Sequence, residues 1–113
     1  MIIVSESIPL SKLKKMAEER FGILVKAVID VEKEIMAVDA ELHADQEALL
    51  LEKGSKQEEL WGINIYPEMT GSDRIEFDSM INLRPSQGNR TRGVDNPAIR
   101  QKIIEIVNKL VKK

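Results

Sequence analysis

Residues 24–42 read LVKAVIDVEKEIMAVDAEL, and the period of that stretch decides the fold. Val25, Ala27, Ile29 and Val31 fall on one side of an extended chain, with Lys26, Val28, Asp30 and Glu32 on the other. That is the two-residue repeat of a half-buried strand. A tight turn near Glu32 and Lys33 starts its partner, which runs from about Glu34 to Leu42 and sets Met36, Val38, Ala40 and Leu42 against Ile35, Ala37, Asp39 and Glu41. The two strands form a hairpin with one apolar face and one face that carries the acids.

Upstream, Ile2 to Val4 reads as a short strand. Pro9 suits the first turn of a helix in which Leu10, Leu13, Met16, Ala17 and Phe21 share one face, and Gly22 ends it. Downstream, Glu47 to Lys53 has strong helix propensity with a natural stop at Gly54, but three consecutive leucines over so short a segment favour a strand buried on both faces. Leu60 to Pro67 alternates Trp61, Ile63 and Ile65 with Gly62, Asn64 and Tyr66. After a turn at Thr70 to Asp73, Ile75 to Arg84 alternates again, with Ile75, Phe77, Ser79, Ile81 and Leu83 opposite Glu76, Asp78, Met80, Asn82 and Arg84. Pro85 to Asp95 has no hydrophobic period and reads as a loop of functional length. Asn96 and Pro97 open a final helix striped by Ile99, Ile103, Ile106, Val107, Leu110 and Val111. The expected fold is α+β: an antiparallel meander sheet of four to five strands with the N-terminal and C-terminal helices packed on one face.

Composition bounds the function. The 113 residues, 42% of them hydrophobic and 32% charged, suit one domain spanning residues 1–113 and exclude disorder. The absence of cysteine excludes disulfides, thiolate catalysis and Cys-ligated zinc or iron–sulfur clusters. Met1 to Val4 is too short for a signal peptide or a membrane span, so a cytoplasmic protein with no membrane contact is expected. The net charge of −2 hides an asymmetry: residues 1–80 carry 9 Lys and Arg against 17 Asp and Glu, whereas residues 81–113 carry 8 against 2. So small a total gives no long-range steering of a polyanion, and nucleic-acid binding is not expected. Only Tyr66 would be available for base stacking.

Three segments, Glu41 to Asp45, Leu60 to Pro67 (LWGINIYP) and Ile81 to Arg90 (INLRPSQGNR), carry a resemblance. Together they resemble a family of small bacterial and archaeal proteins classed as a domain of unknown function, over roughly residues 23–111. The resemblance implies no activity and brings no catalytic residues.

Two places could carry chemistry. The alternations put Asp39, Glu41, Asn64, Tyr66, Glu76, Asp78 and Asn82 on one polar sheet face, with His43 close by. Clustered carboxylates there would serve a general acid–base pair or a hard-metal site, or else form a solvated or self-associating surface. His43, the sole histidine, stands two residues from both Glu41 and Asp45, which matches no closed zinc motif and suits a turn equally well. The loop that holds Arg84, Asn89, Arg90 and Arg92 combines guanidinium forks with amide donors, the equipment of bidentate anion recognition, or of ion pairs that pin the loop to the sheet. Gly88 and Gly93 imitate a phosphate loop, but Val94-Asp95 stands where Lys-Ser/Thr is required. No metal set or cofactor is read.

The function expected from these features is a non-enzymatic binding or interaction module with an anion-binding arginine loop, homo-oligomeric, whose partner beyond itself is a small anionic ligand. The alternative is a hydrolase or nuclease acting on a phosphate-containing substrate. There Arg84, Arg90 and Arg92 would hold the anion and Glu41, His43 or Asp78 would act as base or metal ligand.

Overall fold

The two-residue repeat of residues 24–42 forms the central hairpin of the protein, which a computed structural model describes over residues 1–113. In chain order the elements are β1 (Ile2–Val4), β2 (Ile8–Pro9), α1 (Leu10–Arg20), β3 (Val25–Asp30), β4 (Ile35–Val38), α2 (His43–Glu52), β5 (Leu60–Ile65), β6 (Ile75–Glu76), α3 (Pro97–Leu110) and β7 (Val111–Lys112). Five strands make one antiparallel sheet in the order β1-β4-β3-β5-β6, and β2 pairs with β7 in a separate parallel ladder that ties the start of α1 to the end of α3. The α+β class, the antiparallel sheet and the two terminal helices are as the sequence predicts. The strand order is not that of a simple meander, because β5 pairs with β3 rather than with β4. Helix α2 causes the difference: it carries the chain from β4 across the second face of the sheet to the far side of β3.

The apolar sides of the alternations meet on one face. Val25, Ala27, Ile29, Met36, Val38, Trp61, Ile63 and Ile65 pack there under Leu13, Met16 and Ala17 of α1 and Ile103, Ile106, Val107 and Leu110 of α3. Each helix has a definite stop or start. Gly22, at φ +88°, donates its N–H to the Ala17 carbonyl at 2.6 Å, and Asn96 accepts the Ala98 N–H at 2.8 Å. Such a cap stabilises a helix by about 1 kcal/mol.

The other face is not open. Val28, Ala37 and Leu60 lie beneath Leu50 of α2. Residues 46–53, read as a strand from sequence, are therefore helical as far as Glu52, with Leu50 buried, Leu49 half-buried and Leu51 exposed. The three leucines spread around the helix because only one must reach the sheet. The long strand expected from Ile75 to Arg84 is corrected too. Only Ile75 and Glu76 pair with β5, and the chain then turns through a single 3-10 turn at Met80–Asn82.

In place of more strand, the side chain of Asn82 serves the edge of β5. Its Oδ1 accepts the Gly62 N–H at 2.8 Å, and its Nδ2 donates to the Gly62 carbonyl at 2.9 Å and the Arg92 carbonyl at 2.9 Å. Asn82 and Gly62 are both buried, so the two bonds to Gly62 satisfy backbone groups that water cannot reach. The side chain of Asn89 does the same for the following loop, donating to the carbonyls of Asn82, Thr91 and Gly93 and accepting the Asp95 N–H.

Candidate functional site

Helix α2 opens on the loop that Asn82 and Asn89 hold down. No side chain caps its first turn, and the leading N–H groups of a helix have no partner inside it, so that end presents donors with partial positive charge. His43 stands at the first helical position and is 9% exposed. Its Nε2 donates to the Ile63 carbonyl at 2.7 Å. A carbonyl only accepts, so Nε2 carries the hydrogen and Nδ1, which makes no hydrogen bond in the protein, is left as the acceptor. Burial is the main force that pushes the His43 pKa below the usual histidine value; the Ile63 bond opposes it, nearby Lys26 and Arg92 add to it, and Asp78 opposes it. The imidazole is neutral at neutral pH.

A groove of about 180 Å³ lies between this helix end and the segment after β6, lined by Lys26, Leu42, His43, Ser79, Met80 and Arg92 among others. Lys26 belongs to β3 and enters no ion pair; its ammonium sits 5.0 Å from the centroid of the Phe21 ring. Arg92 Nε donates to Asp78 Oδ1 at 2.7 Å, and the Arg92 side chain remains about half exposed, free to offer its other donors. Ser79 is buried, with an Oγ that accepts the Ile81 N–H at 3.3 Å. Gly62 makes this arrangement fit: a Cβ there would lie 2.6 Å from both Cβ and Oγ of Ser79, closer than such atoms approach. Leu42 and Met80, 55% and 62% exposed, form an apolar rim.

The residues expected to bind an anion do not gather in one place. The Arg84 guanidinium donates to the Gln57 carbonyl and, at 2.8 Å, to the Leu60 carbonyl, and lies 4.2 Å from the centroid of the Trp61 ring. Burial lowers its pKa from the ordinary arginine value, partly offset by Glu47 and Glu58. Arg84 therefore fastens the loop to the start of β5. Asn89 is buried with its amide fully used, and Arg90 is exposed with no side-chain partner. Arg92 alone of the four reaches the groove.

The polar sheet face likewise resolves into four separate places, because α2 covers that side of the sheet and β4 ends before the acids begin. Asp39 and Glu41 lie beyond β4 beside Arg20, at 3.0 and 3.8 Å, in an open hollow of about 530 Å³ that Asp45 and Glu52 of α2 also line. Asn64 Nδ2 and the Tyr66 hydroxyl both donate to Glu76 Oε1, at 2.8 and 3.0 Å. The Tyr66 pKa is raised, first by desolvation and then by that bond. His43 lines the groove, Asp78 stands beside it paired with Arg92, and Asn82 is consumed by the backbone of Gly62 and Arg92. No three His, Asp or Glu side chains are placed to hold a metal ion.

Sequence reasoning missed Lys26, Ser79 and the helix end. The helix propensity of Glu47 to Lys53 and the stop at Gly54 were the available signals for α2. Nothing in the alternation marks Lys26 or Ser79 as facing a groove.

Fold and groove together define the class: a small α+β domain whose sheet is covered by helices on both faces, with a cation-lined groove at the start of the internal helix. The chain belongs to the family described as Protein of unknown function (DUF5674), which matches residues 2–110. A search of the curated proteins and a search of the solved structures each returned no match. No helix is long and apolar enough to cross a membrane.

Proposed function

We propose that the protein is a binding module that takes a small anion into the groove between the start of α2 and Arg92. One observation carries this reading. The charged residues lining the groove, Lys26 and Arg92, are both cations, in a chain of net charge −2. Lys26 lacks a carboxylate partner, the helix end adds uncapped donors, and Arg92 offers a guanidinium edge, a combination that recognises phosphate or carboxylate oxygens. Asp78 aligns Arg92 without itself lining the groove.

Titration of inorganic phosphate into ¹⁵N-labelled protein, followed by amide chemical shifts, tests the reading. The expected shifts concentrate at His43, Ala44, Ser79 and Arg92, and the variants Lys26→Ala and Arg92→Ala each weaken them. Shifts confined to the lysines of α3, or none at all, would contradict it.

A second reading, phosphate-ester hydrolysis, is favoured by the neutral imidazole of His43, an acceptor of the kind a general base requires. Release of p-nitrophenol from p-nitrophenyl phosphate, lost in His43→Ala, would establish that reading; no release would dismiss it.

A further inference from the structure

The groove offers several donors and one strong acceptor, and that imbalance restricts the ligand. Lys26, Arg92 and the N–H groups at the start of α2 can only donate. His43 is 9% exposed, its Nδ1 has no hydrogen-bond partner in the protein, and in the neutral imidazole, whose hydrogen is on Nε2 for Ile63, that nitrogen can only accept. A sulfate or carboxylate would bring oxygens to the donors and an unfavourable lone-pair contact to Nδ1. A phosphate monoanion brings both kinds of group, because one of its oxygens still carries a proton.

The rim restricts the other side of the ligand. Leu42 and Met80 stand exposed on the same groove, and its volume of about 180 Å³ holds a head group, with any larger body left to lie across the rim. We propose, resting on the anion-binding reading above, that the ligand is a phosphomonoester: its P–OH donates to His43 Nδ1, its remaining oxygens take the donors of Lys26, Arg92 and α2, and its apolar ester group lies between Leu42 and Met80. Burial favours the neutral imidazole. The second ionisation of a phosphomonoester falls near pH 6, so the protonated form is well populated at pH about 6.

Calorimetric titrations at pH about 6 with inorganic phosphate, sulfate and phenyl phosphate separate the elements of this proposal. Phosphate is expected to bind about tenfold more tightly than sulfate, the ratio one hydrogen bond supplies. Phenyl phosphate is expected to bind about tenfold more tightly than phosphate, the ratio that two buried CH₂ groups would give. His43→Gln places an amide near Nε2 to keep the Ile63 bond and removes the acceptor at Nδ1, so it should abolish the preference over sulfate. The double variant Leu42→Ala, Met80→Ala shortens the two exposed rim side chains without placing a capping hydroxyl at the start of α2, and should bring the ratio of phenyl phosphate to phosphate affinity close to one. Sedimentation with phosphatidylcholine vesicles, with and without phosphatidic acid, identifies the source of the ester: recruitment by phosphatidic acid assigns it to a lipid head group, and no recruitment assigns it to a soluble molecule. Equal affinity for phosphate and sulfate, or for phosphate and phenyl phosphate, overturns the proposal and leaves anion binding intact. Failure of all three anions to bind overturns both.

Discussion

Replacing Asn82 by Ala should come close to unfolding the protein, and the loss can be worked from three hydrogen bonds. The side chain is fully buried and satisfies the Gly62 N–H, the Gly62 carbonyl and the Arg92 carbonyl at 2.8–2.9 Å. Truncation removes all three bonds and leaves the Gly62 N–H and carbonyl unpaired, at a cost of about 1–3 kcal/mol for the donor and rather less for the carbonyl, while the Arg92 carbonyl keeps the Ser79 N–H at 2.9 Å. The sum is about 3–4 kcal/mol, a large part of the 5–15 kcal/mol that typically separates folded from unfolded domains. Urea unfolding followed by Trp61 fluorescence reads it directly. With a slope of about 1.5 kcal/mol per molar urea, the midpoint should fall by about 2 M. Asn82→Asp should not rescue the loss, because a carboxylate can accept from Gly62 but sets a buried negative oxygen against two carbonyls. A fall below about 1 kcal/mol for Asn82→Ala would refute the claim that this side chain stands in for a strand. So would full rescue by Asp.

Three further outcomes follow from the same structure. Gly62→Ala sets a methyl 2.6 Å from Ser79 and should cost about 1–3 kcal/mol while lifting residues 79–82 away from β5, so that stability in urea and phosphate affinity fall together. Arg84→Ala removes the stack on Trp61 and the bonds to the Gln57 and Leu60 carbonyls, costing about 2 kcal/mol in urea unfolding, yet should leave phosphate affinity unchanged because Arg84 is remote in role from the groove. The His43 pKa lies below its unfolded value, so protons bind preferentially to the unfolded chain; the stability this contributes is present above about pH 6.5 and declines as pH falls through that value, with a slope that stays below the one-proton ceiling of about 1.4 kcal/mol per pH unit. Urea titrations of the wild type and His43→Gln between about pH 7.5 and pH 5.5 should show that extra decline in the wild type alone.

The parts of the fold that were legible in the sequence are those where one face of an element is buried and the other is not. Val25 to Asp30, Ile35 to Val38 and Leu60 to Ile65 announce themselves by alternation, and α1 and α3 by a single apolar stripe with Pro9, Gly22 and Asn96 at their ends. Residues 43–52 do not, because α2 buries only His43, Gln46 and Leu50 and its exposed Leu51 breaks the stripe. The alternation from Ile75 to Arg84 misleads for a related reason. Ser79 and Asn82 are buried there to fit Gly62 and to bond its backbone, and a two-residue period cannot distinguish that from a strand. The candidate site was legible only in part. His43 and Arg92 stand out by residue type, but the pattern does not reveal that Arg84 and Asn89 spend their donors inside the protein, nor that Lys26 on the middle strand would face the same groove.

An anion that settles in the groove can be made visible with a heavy-atom oxyanion. Crystals of the protein soaked in tungstate, a tetrahedral oxyanion, should give an anomalous difference peak within hydrogen-bonding reach of Lys26 Nζ, the Arg92 guanidinium and the first amides of α2. A map with no peak there, or with peaks only beside Lys102, Lys109 or Arg90, would contradict anion binding in the groove.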